Sequence, residues 1–399
     1  MTTPSIAGRA PARTKLVLAS AFALALAPAL LPRPALAQAE GVSPTEIRLA
    51  TLQDLSGPLA GPGKQAMNGM RLRVDEINAQ GGIHGRKLTL LVEDHGYDPK
   101  RAVLGTQKLF GRDGAMLMVG QIGTATTLAT VPLLTQKKAI NFFPLTSTRE
   151  VYEPPGPLKF AFLSPYFQQL GTHTPRLAKQ ANASRVCALY QDDEFGLEIL
   201  RGAEAGLKDA GMAMVEKTSY KRGATDFSSQ VARLAAARCD MVVLGTVVRE
   251  TVGVMSEARK LGFKPVFLGS PGAYSSAVVD LGGKDVEGLY VTMSVEQPYT
   301  DSGPAELRRF ASSYKARFSE DATVFSTYGY VVIDLFAQAA QKAGRDLTPE
   351  TLTRAMETGS LPATPYGTGE LTFTPTKRLG SEVVRLSQIR DGRWVVVGP

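Results

Sequence analysis

Two α/β units, each built on a largely parallel, doubly wound sheet, are what this sequence predicts, and three observations carry the prediction. Short apolar runs of strand length alternate with helix-length segments along most of the chain. The runs at 116–119 and 241–244 are apolar at every position, as strands covered by helices on both faces require. The alternation runs once over about 45–163 and restarts near residue 184, after a helix-like stretch at 168–180. A chain of 399 residues holds two domains of ordinary size. Its 44% hydrophobic and 21% charged composition excludes a disordered chain.

Taken in order, the first segment stands apart. Arg9, Arg13 and Lys15 precede an apolar run at 16–31, followed by Ala35-Leu36-Ala37, the pattern of a secretory leader cleaved before Gln38. The run is too short, and too interrupted by Pro28, for a spanning helix of about 20 residues. No Cys stands at the cleavage point to take a lipid, so the expected product is exported, periplasmic and without a membrane anchor. Strands are then expected at 47–52, 88–92, 115–119, 139–143, 186–190, 241–244, 266–268 and 289–292. Amphipathic helices fill gaps between them, among them 69–78, with Met70, Val74 and Ile77 on one stripe, and 227–236. Residues 306–358 read as mostly helical, and 371–373, 381–389 and 394–397 as strands, the last two joined at Asp391-Gly392 as a hairpin. Periodicity does not say which sheet these late elements join.

The formal charge of +8 includes four basic residues of the leader, which has no acid, so the mature chain carries +4. The basic residues are scattered and not interleaved with aromatics, which argues against nucleic acid as a partner. Cys187 and Cys239 enter an oxidising compartment, where a disulfide is permitted. Their positions in or beside neighbouring strands favour two buried thiols, with a bridge as the other reading.

Enzyme signatures are missing. His84, His95 and His173 are isolated, read as exposed loop residues, and form no metal-binding pair with each other or with a Cys-x-x-Cys. Neither the nucleophile elbow nor the phosphate-binding loop occurs, and the turn Gly61-Pro62-Gly63 is followed by Ala66 where a dinucleotide fingerprint has its third glycine. No cofactor or metal is therefore expected. Asp192-Asp193-Glu194 read as helix caps. What remains is a set of small, polar loops after the strands, at 54–58, 120–127, 144–148, 192–196, 246–249 and 270–274, where open α/β sheets hold ligands. The stretch Gly123-Thr124-Ala125-Thr126-Thr127 opens a helix whose free amides suit an anion, although Thr124 also fits a plain capping role.

Leu55-Ser56-Gly57-Pro58, Asp75-Glu76-Ile77-Asn78, Gly81-Gly82-Ile83, Gly85-Arg86-Lys87-Leu88 and Asp98-Pro99-Lys100 resemble, in this order, the leucine/isoleucine/valine-type (type I) periplasmic binding proteins. Asp226-Phe227-Ser228 before a helix and Tyr328-Gly329-Tyr330 opening one extend the resemblance over the mature chain. The resemblance implies two lobes joined by three crossings, with the ligand in the cleft and hinge closure around it. Beyond the leader, 1–37, it assigns 42–163 and 298–375 to the first lobe, and 164–297 and 376–399 to the second. It implies a monomer that delivers a small molecule to the membrane permease of an ABC transporter. By the same resemblance, Thr124 with Leu145, Thr146 and Ser147 would hold a carboxylate. Pro271 stands where amino-acid-binding members place an acid for the ammonium group, and Pro62, Phe195 and Val247 stand where they carry cleft aromatics. An ammonium group buried without a counter-charge costs several kcal/mol, so an apolar or aromatic acid is expected over a branched-chain amino acid. Its body would lie against Phe195, Val247, Tyr274 and Phe325, with Glu250 the nearby acid that would otherwise replace the missing charge. Tyr97 and Gly123 fall where some members carry a first-lobe disulfide. The other readings are a ligand sensor signalling to a membrane receptor, which shares every feature, and an exported α/β enzyme, which lacks a nucleophile and base.

Overall fold

The computed structural model describes residues 39–398 together with residues 1, 2, 7, 8, 10 and 12. The apolar run at 16–31 and the cleavage signature at 35–37 lie outside the described residues. Within the compact unit Gln38–Pro399, the chain first forms β1 (Glu46–Gln53), α1 (Ala60–Ala79), β2 (Lys87–Asp94), α2 (Pro99–Gly111), β3 (Leu117–Val119), α3 (Thr124–Gln136), β4 (Asn141–Phe142) and β5 (Lys159–Phe160). These five strands make a parallel sheet ordered β2-β1-β3-β4-β5.

The second unit follows as α4 (Tyr166–Gln180), β6 (Val186–Gln191), α5 (Glu194–Asp209), β7 (Glu216–Tyr220), α6 (Ser228–Ala236), β8 (Met241–Gly245), α7 (Val248–Lys260), β9 (Val266–Gly269), α8 (Ser276–Gly282) and β10 (Tyr290–Met293). Then come α9 (Ala305–Phe318), α10 (Val324–Ala343), α11 (Pro349–Glu357), β11 (Ser360–Leu361), β12 (Leu371–Thr372), β13 (Arg385–Arg390) and β14 (Arg393–Gly398). The second sheet is ordered β14-β13-β10-β9-β8-β6-β7, parallel except for the antiparallel hairpin β13–β14 at one edge. Asp391 and Gly392 both take positive φ, 51° and 70°, as a two-residue turn of the expected hairpin requires.

Three expectations change. β5, two residues long, and β7, with the polar sequence Glu-Lys-Thr-Ser-Tyr, carry no apolar run and were invisible to periodicity. The run at 371–373 pairs only with β11 in a small separate sheet, and the strand expected from 381 starts at Arg385.

Side chains alternate between the faces of each sheet. Leu49 faces α1 and α10, whereas Ala50 and Leu52 face α2 and α3. In the second sheet, Val186, Ala188 and Val243 pack under α4 and α5, and Cys187, Leu189 and Val242 under α6 and α7. The chain returns to the first sheet after β10, and the return is sealed where α10 meets α1. A Cβ placed on Gly69 would lie 2.0 Å from the Ser326 carbonyl oxygen, and one on Gly329 would lie 1.9 Å from that of Ala66. Only glycine permits that approach. Gly206 of α5 meets Gly171 of α4 in the same way, at 1.9 Å.

Several motifs of the sequence act as fasteners in this frame. Asn78 binds the Leu88 backbone from both sides of its amide, donating at 2.8 Å and accepting at 2.7 Å, which fixes the α1–β2 turn. Glu76 accepts from the Tyr330 hydroxyl at 2.6 Å and from Arg73 at 2.9 Å, tying α1 to α10. The first and third crossings between the sheets run side by side, Ala161 pairing with Leu379. Near the second crossing, Gln297 donates to the Ala322 carbonyl and accepts from the Val324 amide.

Cys187 and Cys239 are joined as a disulfide, with Cα atoms 5.9 Å apart, so the reading of two free thiols is corrected. The tight turn from α6 into β8 returns Cys239 to β6, a distance the sequence does not supply. His95 and His173 are also not exposed loop residues: they are 0% and 1% exposed, and His173 lies on α4.

Two stability predictions follow from these buried groups. The 52-residue separation of the cysteines closes a loop worth about 4 kcal/mol in chain entropy, so Cys187→Ala/Cys239→Ala should lower the urea-unfolding free energy by up to that amount; a loss below about 0.5 kcal/mol would show that the bridge contributes nothing. Burial, with Arg176 adding to it, depresses His173 to about 4. Native His173 is therefore neutral where the unfolded chain, with an ordinary value near 6.5, already binds a proton. Stability is unaffected above pH 6.5 and falls as pH drops through the window from 6.5 to 4, by about 3 kcal/mol at most. His173→Leu should flatten that part of the pH–stability curve.

Candidate functional site

Each sheet reverses its strand order beside its first strand, between β1 and β3 and again between β6 and β8. Loops leaving adjacent strands in opposite directions open a crevice at the carboxyl ends. The loops from both reversals line a single cleft, with Leu59 after β1, Ile122 to Thr124 after β3, Phe195 after β6 and Val247 after β8. The space between these loops is about 500 Å³, part of it open to solvent. It is narrow and apolar, and none of its lining side chains is charged.

Of the residues expected at a binding site, Thr124, Leu145, Ser147, Phe195, Val247, Pro271 and Phe325 come together in this lining. Thr146 and Tyr274 do not. The Thr146 hydroxyl bonds that of Thr124 at 2.6 Å and orients it from behind. Tyr274, 1% exposed, packs edge-on against Trp394 at 5.0 Å, and its hydroxyl accepts from the Gln297 amide at 2.9 Å. It supports the second crossing. Pro62 is buried within α1 and is not part of the lining.

Polarity gathers at one wall. Thr124 is the first residue of α3 and is not its cap: the N-cap is Gly123, with φ 92°, and no side chain caps the helix. The first-turn amides of α3 lack helical partners by construction and favour negative charge. The Tyr166 hydroxyl faces Thr146, Thr124 and Ser147. Burial pushes the Tyr97, Tyr166 and Tyr328 hydroxyls upward, so all three stay protonated and able to donate. Phe195 stands edge-on to Tyr166 at 5.4 Å, and Gly272 leaves it room, since a Cβ there would lie 2.8 Å from the Phe195 ring. Asp54, which begins one of the candidate loops, spends its carboxylate on the backbone amides of Ser56, Gly57 and Leu59, and so positions Leu59 rather than a ligand.

Tyr97, Tyr166 and Tyr328 also line the cleft but carry no sequence signal of that role. Tyr97 holds a left-handed backbone, φ 60°, which is uncommon for a bulky residue. Its ring lies against Gly123, where a Cβ would come within 2.8 Å. Groups from the second sheet grip it. Arg222 donates to the Tyr97 carbonyl at 3.0 Å and sits 4.7 Å over its ring, while Gln191 donates to its hydroxyl at 3.3 Å. A second tie joins Arg149, beyond β4, to Glu198 on α5 at 2.5 Å; Glu198 is 1% exposed. Asp193 caps α5 through the amides of Phe195 and Gly196, the role its position predicted, and also accepts from Arg222 at 2.8 Å.

Among the described residues no helix is long and apolar enough to cross a membrane, and no group of three His, Cys, Asp or Glu side chains is placed to hold a metal ion.

The profile of the periplasmic binding protein family matches residues 46–393. The Leu/Ile/Val-binding protein homolog 7 of Brucella abortus is 26% identical over 310 residues, 74% of this chain and 77% of its own length. A possible leucine/isoleucine/valine-binding protein of Rhodopirellula baltica shares the fold, with a TM-score of 0.82 at 19% identity over 89% of this chain and 96% of that one. So does an ABC transporter solute-binding protein of R. palustris in complex with benzoate, with a TM-score of 0.79 at 18% identity over 88% and 96%. With a matched profile over nearly all of both sheets and a cleft where their strand orders reverse, the chain belongs to the periplasmic binding protein family.

Proposed function

We propose that this protein is the exported capture component of an ABC importer, and that it takes a compact apolar or aromatic carboxylate rather than a zwitterionic amino acid. One observation carries the reading. The cleft offers hydroxyls and the free amides of α3 at the Thr124–Ser147 wall, is apolar elsewhere, and presents Pro271 where an ammonium group would need an acid. A carboxylate gains from the helix N-terminus, whereas an ammonium group desolvated among Phe195, Val247 and Phe325 would cost several kcal/mol. The R. palustris protein of the same fold holds benzoate, an acid of this kind. Capture proceeds by closure of the first lobe, 42–163 with 298–375, onto the second, with the Arg149–Glu198 and Arg222–Tyr97 contacts made in the closed form.

Calorimetry on ligand-stripped protein should find benzoate or phenylacetate bound and leucine and valine not bound. Thr124→Val should weaken the acid about tenfold, the loss of one hydrogen bond to a charged group, about 1.4 kcal/mol. Leucine or valine binding more tightly than any simple acid would sink the reading. The closure step has its own test. Arg149→Ala removes the cross-lobe partner of buried Glu198, which keeps only Arg201 on its own helix, at 3.7 Å. The lobes should then open, seen as a larger radius of gyration in X-ray scattering of ligand-free protein. Unchanged scattering with a lowered melting temperature would assign the pair to folding alone.

A further inference from the structure

Behind Tyr97 and Val247, which line the cleft, the second sheet buries a group of polar atoms that the carboxylate wall does not explain. Gln191 and Tyr220 end the adjacent strands β6 and β7 and are register partners. Arg222 follows two residues later, and Glu250 lies in the first turn of α7, which leaves the neighbouring strand β8. Gln191 is 0% exposed, and Tyr220 and Glu250 are 3% exposed each. The Gln191 Oε1, Tyr220 hydroxyl, Arg222 Nε and Glu250 Oε2 are all buried without a hydrogen-bond partner. Their other atoms are engaged, Gln191 Nε2 and Arg222 Nη2 with Asp193 and Arg222 Nη1 with the Tyr97 carbonyl, so the group is held in place by its periphery. Tyr220 lies close enough to feel Glu250, Tyr97 and Asp193, and its hydroxyl sits beside the Val247 backbone amide without a well-formed hydrogen bond.

A buried polar atom without a partner is unfavourable, and these four lie at or just beyond the carboxyl ends of neighbouring parallel strands, where such sheets bind ligands. Resting on the carboxylate reading above, we propose that Gln191, Tyr220, Arg222 and Glu250 form a second, polar subsite of the cleft, which takes a neutral hydroxyl carried by the ligand at a point removed from its carboxylate. The chemistry selects the group. Arg222 Nε–H can only donate, Gln191 Oε1 can only accept, and the Tyr220 hydroxyl can do both; a hydroxyl satisfies a donor and an acceptor at once. An ammonium group would meet the Arg222 guanidinium, and a second carboxylate would meet Asp193 and Glu250. The ligand is then a hydroxy acid, with its two polar ends held by different lobes.

The test is calorimetry with matched probes: benzoate against 3- and 4-hydroxybenzoate, and hexanoate against 6-hydroxyhexanoate. At least one hydroxy acid should bind ten times or more tightly than its parent. Tyr220→Phe, which removes only the hydroxyl oxygen, should reduce that advantage to less than threefold, and Glu250→Gln should also reduce it, the advantage being read in each variant as the ratio of hydroxy acid to parent acid affinity. Parent acids that bind as tightly as their hydroxylated partners overturn the subsite and leave the carboxylate reading standing, with the buried atoms served by water. An advantage that survives Tyr220→Phe and Glu250→Gln also overturns it. Binding of none of the acids removes the carboxylate reading and this proposal together.

Discussion

The contact of α1 with α10 is what makes two sheets into one binding protein. After β10 the chain has completed both parallel sheets, and nothing local forces it back to the first. What draws it back is a helix pair whose backbones touch, Gly69 against Ser326 and Gly329 against Ala66, with the Glu76–Tyr330 bond beside them. Any side chain at those glycines would push α10 away from α1, and with it Phe325 and Tyr328, which α10 carries into the cleft. The same return obliges the chain to cross a third time to reach β13, laying Leu379 beside Ala161. The crossings, the cleft floor and the lobe pairing all descend from one backbone approach.

The cleft divides its labour in physical terms. One wall, built on the start of α3 and the Thr124–Thr146 pair, supplies donors and a favourable dipole. The facing wall supplies shape through Phe195, Val247 and Pro271. Asp54 is committed to its own loop, and Asp193 to the cap of α5 and to Arg222.

Much of this was legible in the sequence, and the unread part has identifiable causes. Strands with apolar runs, such as those at β1 and β8, were readable because burial on both faces demands such runs; β5 and β7 were not, because edge strands do not. The glycine and polar motifs around 55–58, 75–78 and 328–330 point to the family, yet they act chiefly as fasteners: Asn78 closes a turn and Glu76 joins two helices. Cleft residues such as Tyr97 and Tyr166 have no periodic signature, since a side chain that lines a cleft between two sheets does not follow the period of a helix or strand. Tyr274 shows the converse. Its position after β9 suggests a lining role, but the ring turns to Trp394 and supports the crossing. The disulfide depended on a separation that only the folded register supplies.

Tyr97 belongs to the cleft lining and to the grip between the lobes at the same time. The second sheet holds the ring by its hydroxyl, its carbonyl and its face. The left-handed turn at Tyr97 thus serves two structures at once, since the ring that shapes the cleft wall is also a clasp between the sheets.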